Sequence, residues 1–485
     1  MSLTTRAFIA IFLMIGFYLL ALSVAGGLLW IVYAQWAYLD RINGRLTVGC
    51  IIGAGVILWS IMPRRDRFEP PGPRIDERDQ PQLFAELKSI AGAMGQEMPR
   101  DVFLMPDINA WVAQRGGVMG FGSHRVMALG LPLMALLTVS QFRAVLAHEF
   151  GHYHGGDTRL GPWIYKTRAA IGRTLTELGR RDSWLIVLFR WYGDLFLSIT
   201  LAISRAQEYA ADKLAAGLAG PRALIEGLKQ VHRGAMAWGS YLQTEVAPVV
   251  SAGFSPPLSS GFTRFLETPQ VKAPVENGLK KELAEGKADR LDSHPALPER
   301  IAALESLPNV ESEDSRPATA LLTNLQVADS SLWLTERQLK PIDWNRVLHE
   351  VWAPGWHRQV NSQQDALRGY TAGNVAEALA SGELRQKMKN PPGTWPTTEQ
   401  RAQMAQAAVG CALCLTLMRA GWTFHMLPGD SFCEKSGKRL APFDMVARVG
   451  RREISAAQWL DMCLEAGIAE LPLVAAAAAS STATG

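Results

Sequence analysis

Residues 8–34 read FIAIFLMIGFYLLALSVAGGLLWIVYA without a single charge. As a helix this run rises about 40 Å, more than the hydrocarbon depth of a bilayer. After QWAYLDRINGR comes a second apolar run at residues 46–62, LTVGCIIGAGVILWSIM, which is just long enough to cross if its flanks adapt. Two such segments in tandem predict a transmembrane hairpin, over residues 1–68, on which the rest of the chain hangs. A cleaved signal peptide ending near SVA, residues 23–25, is the alternative; the apolar run continues well past that site and a second run follows. Arg6 precedes the hairpin and Arg64, Arg65 and Arg67 follow it, against Asp40, Arg41 and Arg45 in the loop. By the positive-inside rule both ends face the cytoplasm.

The remaining length suffices for one or two further domains. A net charge of +4, with dispersed basic residues, gives no footprint for nucleic acid. The five cysteines form no disulfide framework: Cys50 is in an apolar run, and Cys433 and Cys463 are isolated. Cys411 and Cys414 make a C-x-x-C, but AQAAVGCALCLTLM reads as a buried helix in which both are small apolar residues.

Chemistry enters at residues 144–157, AVLAHEFGHYHGGD. A helix turns about 100° per residue, so His148 and His152 project from one face on successive turns, with Glu149 beside them. In this H-E-x-x-H pattern the imidazoles are metal ligands, and the carboxylate takes a proton from the attacking water and passes it to the leaving amine. Catalytic zinc takes three protein ligands, so one more must come from elsewhere. His154 points away from that face and suits a solvent or helix-dipole role, with Gly155 and Gly156 stopping the helix.

A proline-rich charged stalk, residues 69–81, precedes a predicted helix from Pro81 to about Gly95. DVFLMP, AWVAQR and HRVMALG have the character of short strands, and helical spacing returns near Ser140. Residues 184–203, WLIVLFRWYGDLFLSITLAI, read either as a third membrane helix or as a core or interfacial helix, the latter favoured by Arg190 and Asp194 in its middle. Residues 245–277, rich in Pro, Ser and Gly, are expected to be a mobile loop. Beyond Leu307 the composition changes, with seven of fifteen tryptophans between Trp333 and Trp459. A separate domain over 308–485, mixed helix and strand with an alanine-rich disordered tail, is expected; its tryptophans suit a core, or an amphipathic surface on the membrane.

SRAQEYAADKLAA, residues 204–216, supplies the missing group. Glu208 and Asp212 lie four apart in a strongly helix-forming segment, so both carboxylates share a face. One can bind metal while the other accepts the remaining N–H of a histidine ligand and fixes its ring.

Together HEFGHYHGGD, SRAQEYAAD and SHPALPERIAAL resemble the HtpX-like and CAAX prenyl endopeptidase superfamily of integral-membrane zinc metallopeptidases, over residues 81–307. The resemblance implies an α+β zincin-like domain, mainly α with a small β-sheet, over residues 69–307, holding one Zn2+ through His148, His152 and Glu208. It implies Glu149 as general base and acid, Asp212 as the carboxylate behind a ligand, and Asp157 as the acidic position after the metal helix; a turn cap is the other reading of Asp157. His294 and Arg300 match the histidine and arginine six apart that approach the metal in relatives, positioned to stabilise an oxyanion; the other reading is that Pro295 simply opens a helix packing Ile301 and Leu304 inward. Asn109, Ala110 and Trp111 in DINAWVAQRGG resemble the family's segment at the sheet edge, able to grip an extended peptide; Trp111 replaces the more usual Phe. The many-span barrel of the prenyl endopeptidases is absent, which makes HtpX the closer likeness.

The expected protein is a zinc endopeptidase of a bacterial inner membrane, with its catalytic domain in the cytoplasm and unfolded or membrane-associated polypeptides as substrates. A noncatalytic membrane scaffold or chaperone retaining a structural metal, and a zymogen cleaving itself within residues 245–277, are the rival readings. Oligomeric state is not legible.

Overall fold

The computed structural model describes residues 3–38, 42–62, 68–116, 122–153, 161–287, 292, 294–308, 314–333 and 339–474. The basic residues 64, 65 and 67, the loop charges Asp40 and Arg41, the Arg6 side chain and the tail from 475 lie outside them. Helices dominate, with small sheets. Two units pack separately, residues 1–236 with 273–334, and residues 237–272 with 335–485.

The first unit begins with α1 (Leu3–Tyr38) and α2 (Gly44–Ile61). Asn43 starts α2 by accepting from the Leu46 N–H at 3.2 Å, and its own N–H donates to the Gln35 side chain at 3.1 Å, which joins the two helix ends. Most of the outward residues of both helices are bulky and apolar, among them Phe12, Trp36 and Trp59, as contact with lipid requires.

α6 (Gly161–Gly179) and α7 (Ile186–Ala219) pack on this hairpin. Arg173 of α6 donates twice to the Ser60 carbonyl, at 3.0 and 3.1 Å. On α7, Tyr192 donates to the Leu13 carbonyl at 2.6 Å and Phe189 meets Phe17 edge-on, so α7 starts beside the middle of α1 and runs antiparallel to it. The stretch 184–203 is therefore not enclosed as a core helix. One face buries Phe189, Tyr192 and Phe196, while Trp184 (78% exposed), Val187 and Trp191 turn outward. Three helices, α1, α2 and α7, are long and apolar enough to cross a membrane.

A four-stranded sheet follows, in the order β1 (Arg74–Ile75), β2 (Asp101–Met105), β4 (His124–Gly130), β3 (Ala110–Arg115). β2 and β4 are parallel; β3 pairs antiparallel with β4 and is one of the two edge strands. A side chain at Gly130 would collide with the carbonyls of Asp107 and Asn109, so only glycine lets β4 end against the turn that feeds β3. α3 (Pro81–Ala93) and, after the short α4 (Leu131–Leu136), α5 (Val139–Gly151) belong to the same unit. Arg143 of α5 pairs with Glu86 of α3 at 2.6 Å.

Residues 245–277 are not a loop. After α8 (Pro221–Tyr241) come α9 (Ala247–Ser251), α10 (Leu258–Glu267) and α11 (Pro269–Glu285), then α12 (Leu297–Glu305). The prolines that read as loop markers do not all break helices: Pro269 opens α11, where its N–H has no helical partner in any case, Pro248 follows a π-helical turn at Leu242–Val246, and Pro274 lies inside α11.

In the second unit a 22-residue helix, Thr398–Arg419, runs through a core that buries Trp356, Trp422 and Trp459. A three-stranded antiparallel sheet spans Thr423–His425, Phe432–Lys435 and Lys438–Leu440. Cys411 and Cys414 are buried in that helix, where burial pushes the Cys411 thiol up to about 12. Both are inert packing residues at neutral pH.

Candidate metal centre and cleft

Thr138 starts α5 with a reciprocal cap: its hydroxyl accepts from the Gln141 N–H at 3.3 Å, and its own N–H donates to the Gln141 side chain at 3.0 Å. Eleven positions are thereby set in helical phase up to His148, and His152 closes the last turn with its N–H on the His148 carbonyl. The two rings lie edge to face with centroids 4.7 Å apart.

α7 brings the third group. A Cβ on Gly151 would stand 3.0 Å from Cα of Ala211, so the two backbones touch where Glu208 and Asp212 face the histidines. Nε2 of His148 is 3.4 Å from Oε2 of Glu208, and Nε2 of His152 is 3.5 Å from Oε1. One donor atom from each of the three residues lies within 4.8 Å of the others. Oε2 of Glu208 is buried and has only long contacts, 3.4 Å to Nε2 of His148 and 3.6 Å to Nη1 of Arg300, with no hydrogen bond of normal geometry. Two imidazoles and a carboxylate, with this oxygen loosely held among them, fit a divalent ion of the zinc type.

Behind these three residues, Asp212 receives Nδ1 of His148 at 2.9 Å and a two-pronged contact from Arg300 at 2.6 and 2.8 Å. Asp212 and Arg300 are both buried. Burial alone would lower His148, but its hydrogen bonds to Asp212 and Glu208 override this and push it up to about 9. A cation arriving at Nε2 therefore displaces a proton. Burial pushes His152 down to about 4, so this imidazole is neutral at pH 7, as a ligand must be. Glu149, half-buried on the same helix, is raised to about 7 by desolvation. His294, on the segment before α12, places Nδ1 3.0 Å from Oε1 of Glu208, and this bond raises its pKa; its side chain remains 65% exposed.

These groups open into a cavity of about 480 Å3. Asn109, Ala110 and Trp111 line it at the start of the edge strand, and His294 and Arg300 line it from α12 and the residues before it. Asp157 and His154 lie outside the described residues. Two further contributors are not singled out by the sequence, Tyr153 within the metal-helix motif and His232 outside any motif. Tyr153 donates to the Val112 carbonyl of β3 at 2.8 Å, tying the end of the metal helix to the strand edge. His232 of α8 lines the cavity with its Nδ1 2.9 Å from Glu282 of α11.

Residues 77–307 match the model of peptidase family M48. This region is similar to peptidase family M48, and the similar proteins of known name are HtpX proteases. An HtpX homologue of Ralstonia pickettii is 27% identical over 248 residues, 47% of this chain and 75% of its own length. The HtpX protease of Alcanivorax borkumensis is 26% identical over 222 residues, 41% of this chain and 65% of its own. A homologue from Archaeoglobus fulgidus is 25% identical over 251 residues, 49% and 69% respectively. No solved structure matches the chain. The M48 match encloses His148, His152, Glu208 and Arg300, and with the three apolar helices it makes the protein a membrane-associated protease.

Proposed function

We propose that the protein is a zinc-dependent endopeptidase of a bacterial inner membrane, crossing it more than once, with the cleft on the cytoplasmic side and unfolded or membrane-associated polypeptides as substrates. The carrying observation is the convergence of His148, His152 and Glu208 next to Glu149, in a cavity bordered by the edge strand β3. When bound, zinc supplies a Lewis acid for the scissile carbonyl and lowers the pKa of water.

The chain's own residues do the rest. An extended substrate adds to the edge at Ala110, with Asn109 and Trp111 flanking it. Glu149 takes a proton from the attacking water as the C–O bond forms, then delivers it to the amide nitrogen as the C–N bond breaks, so the carboxylate is regenerated. The negative charge that develops on the substrate oxygen falls to His294 and Arg300. Asp212 holds His148 in one orientation and keeps Arg300 in place.

Glu149→Gln tests this reading. The purified variant should retain one zinc per chain by elemental analysis while cleavage of an unfolded protein falls at least a hundredfold; undiminished cleavage refutes it. A noncatalytic scaffold with a structural metal predicts instead that chelation only lowers the melting temperature.

A further inference from the structure

The cavity has a side that none of the proposed chemistry uses. α8 contributes Leu224, Leu228, Val231 and His232 to its lining, joined by Leu133 and Val145. The seating of α8 explains how these residues are graded. Gly227 lies against Val145 and Gln141 of α5, where a Cβ would stand 3.3 Å from the nearest atom. Gly234 lies against Ile108 and Leu136, where a Cβ would come within 2.7 Å. Seven apart, these glycines mark the buried side of the helix. Leu224 and Leu228 are buried at the floor, whereas Val231 and His232 are half-buried nearer the opening. The wall thus runs from aliphatic at depth to a single imidazole at the mouth.

That imidazole is held. Nδ1 of His232 meets Glu282 at 2.9 Å, and the neighbouring Arg233 pairs with Glu276 at 2.7 Å, so α11 holds α8 by two side-chain contacts. Nε2 is the ring nitrogen left for a substrate.

We propose that the α8 wall is the side-chain subsite of the cleft, that it takes a large aliphatic or aromatic residue adjoining the scissile bond, and that His232 positions the substrate main chain at its mouth. This inference rests on the peptidase reading. Burial of an apolar side chain on Leu224, Leu228 and Val231 would favour Leu or Phe over Ala by roughly ten- to a hundredfold in kcat/KM. The wall also explains a preference for unfolded chains, because such side chains are covered in folded ones.

The test uses full-length protein in detergent with zinc and peptides that vary only beside the cleaved bond. Leu228→Trp, which fills the floor, should shift preference toward Ala; Leu228→Ala, which deepens it, should shift preference toward Phe or Trp. His232→Ala should raise KM roughly three- to tenfold for every peptide without reordering them, and His232→Gln should recover part of the loss. Fluorescence polarisation of the same peptides on Glu149→Gln protein should rank them identically, which separates binding from turnover. Glu149-dependent cleavage whose preference is unmoved by both Leu228 variants overturns the subsite and leaves the peptidase standing. Absence of any cleavage by the wild type overturns both.

Discussion

Asp212→Asn changes one oxygen into an amide with almost no change in volume, yet it strikes the most connected carboxylate of the site. Asp212 is 2% exposed and holds both Arg300, through contacts of 2.6 and 2.8 Å, and Nδ1 of His148 at 2.9 Å. Removing one charge from a buried pair costs about 3–5 kcal/mol when the partner is stranded. Here the cost falls toward about 3 kcal/mol, since Glu208 stands 3.6 Å from Nη1 of Arg300 and takes up part of the burden. That compensation damages the site: the guanidinium is drawn to the same Oε2 that otherwise has no hydrogen bond. His148 also loses the acceptor that orients it, and such partners are worth about 10- to 100-fold in metal affinity. We therefore expect zinc affinity to drop by about a hundredfold or more, with a lowered melting temperature. Competition against a chelator of known affinity, with thermal denaturation in parallel, measures both. The double variant Asp212→Asn with Arg300→Met should regain stability, because the stranded charge is gone, but not zinc affinity. Wild-type zinc affinity in Asp212→Asn would refute the reasoning.

Other expectations follow from the same geometry. Gly151→Ala should force α5 and α7 apart by a few tenths of an ångström at Ala211, costing about 1–3 kcal/mol and loosening zinc; unchanged melting and zinc affinity would show that the contact yields freely. Thr138→Ala removes the cap of the metal helix and should cost about 0.5–2 kcal/mol by denaturant titration. As a base, Glu149 works only when ionised, so activity should rise with pH through its pKa; burial places that near 7, and the charge of a bound cation draws it lower. A kcat/KM profile with no acid limb would exclude this role. Cys411 and Cys414, buried and raised by desolvation, should resist thiol reagents until the protein unfolds; rapid labelling of the native protein contradicts their packing role.

Local features were legible because they follow from local rules. The strand segments at 101–105, 110–115 and 124–130 appear in sequence as short runs bounded by turn residues, and the helix at Pro81 announces its own start. Residues 245–277 misled because proline has two meanings, loop breaker and helix opener, which composition does not separate. The stretch 184–203 was ambiguous for another reason. Arg190 and Asp194 weigh against a full span and favour a core or interfacial helix; the outward Trp184 and Trp191 exclude an enclosed core helix.

The sequence by itself determined the helices long and apolar enough to span a membrane, the phase of His148 against His152, and the phase of Glu208 against Asp212, since hydrophobic length and helical periodicity are properties of neighbours along the chain. Only the tertiary structure decided that these two faces meet, that Arg300 is locked onto Asp212 while His294 reaches Glu208, and that the silent helix α8 supplies a wall with His232 at its lip. Nor could composition join residues 237–272 to 335–485. Such contacts depend on how closely backbones can approach, at Gly151, Gly227 and Gly234, and a glycine in sequence does not say what it will lie against.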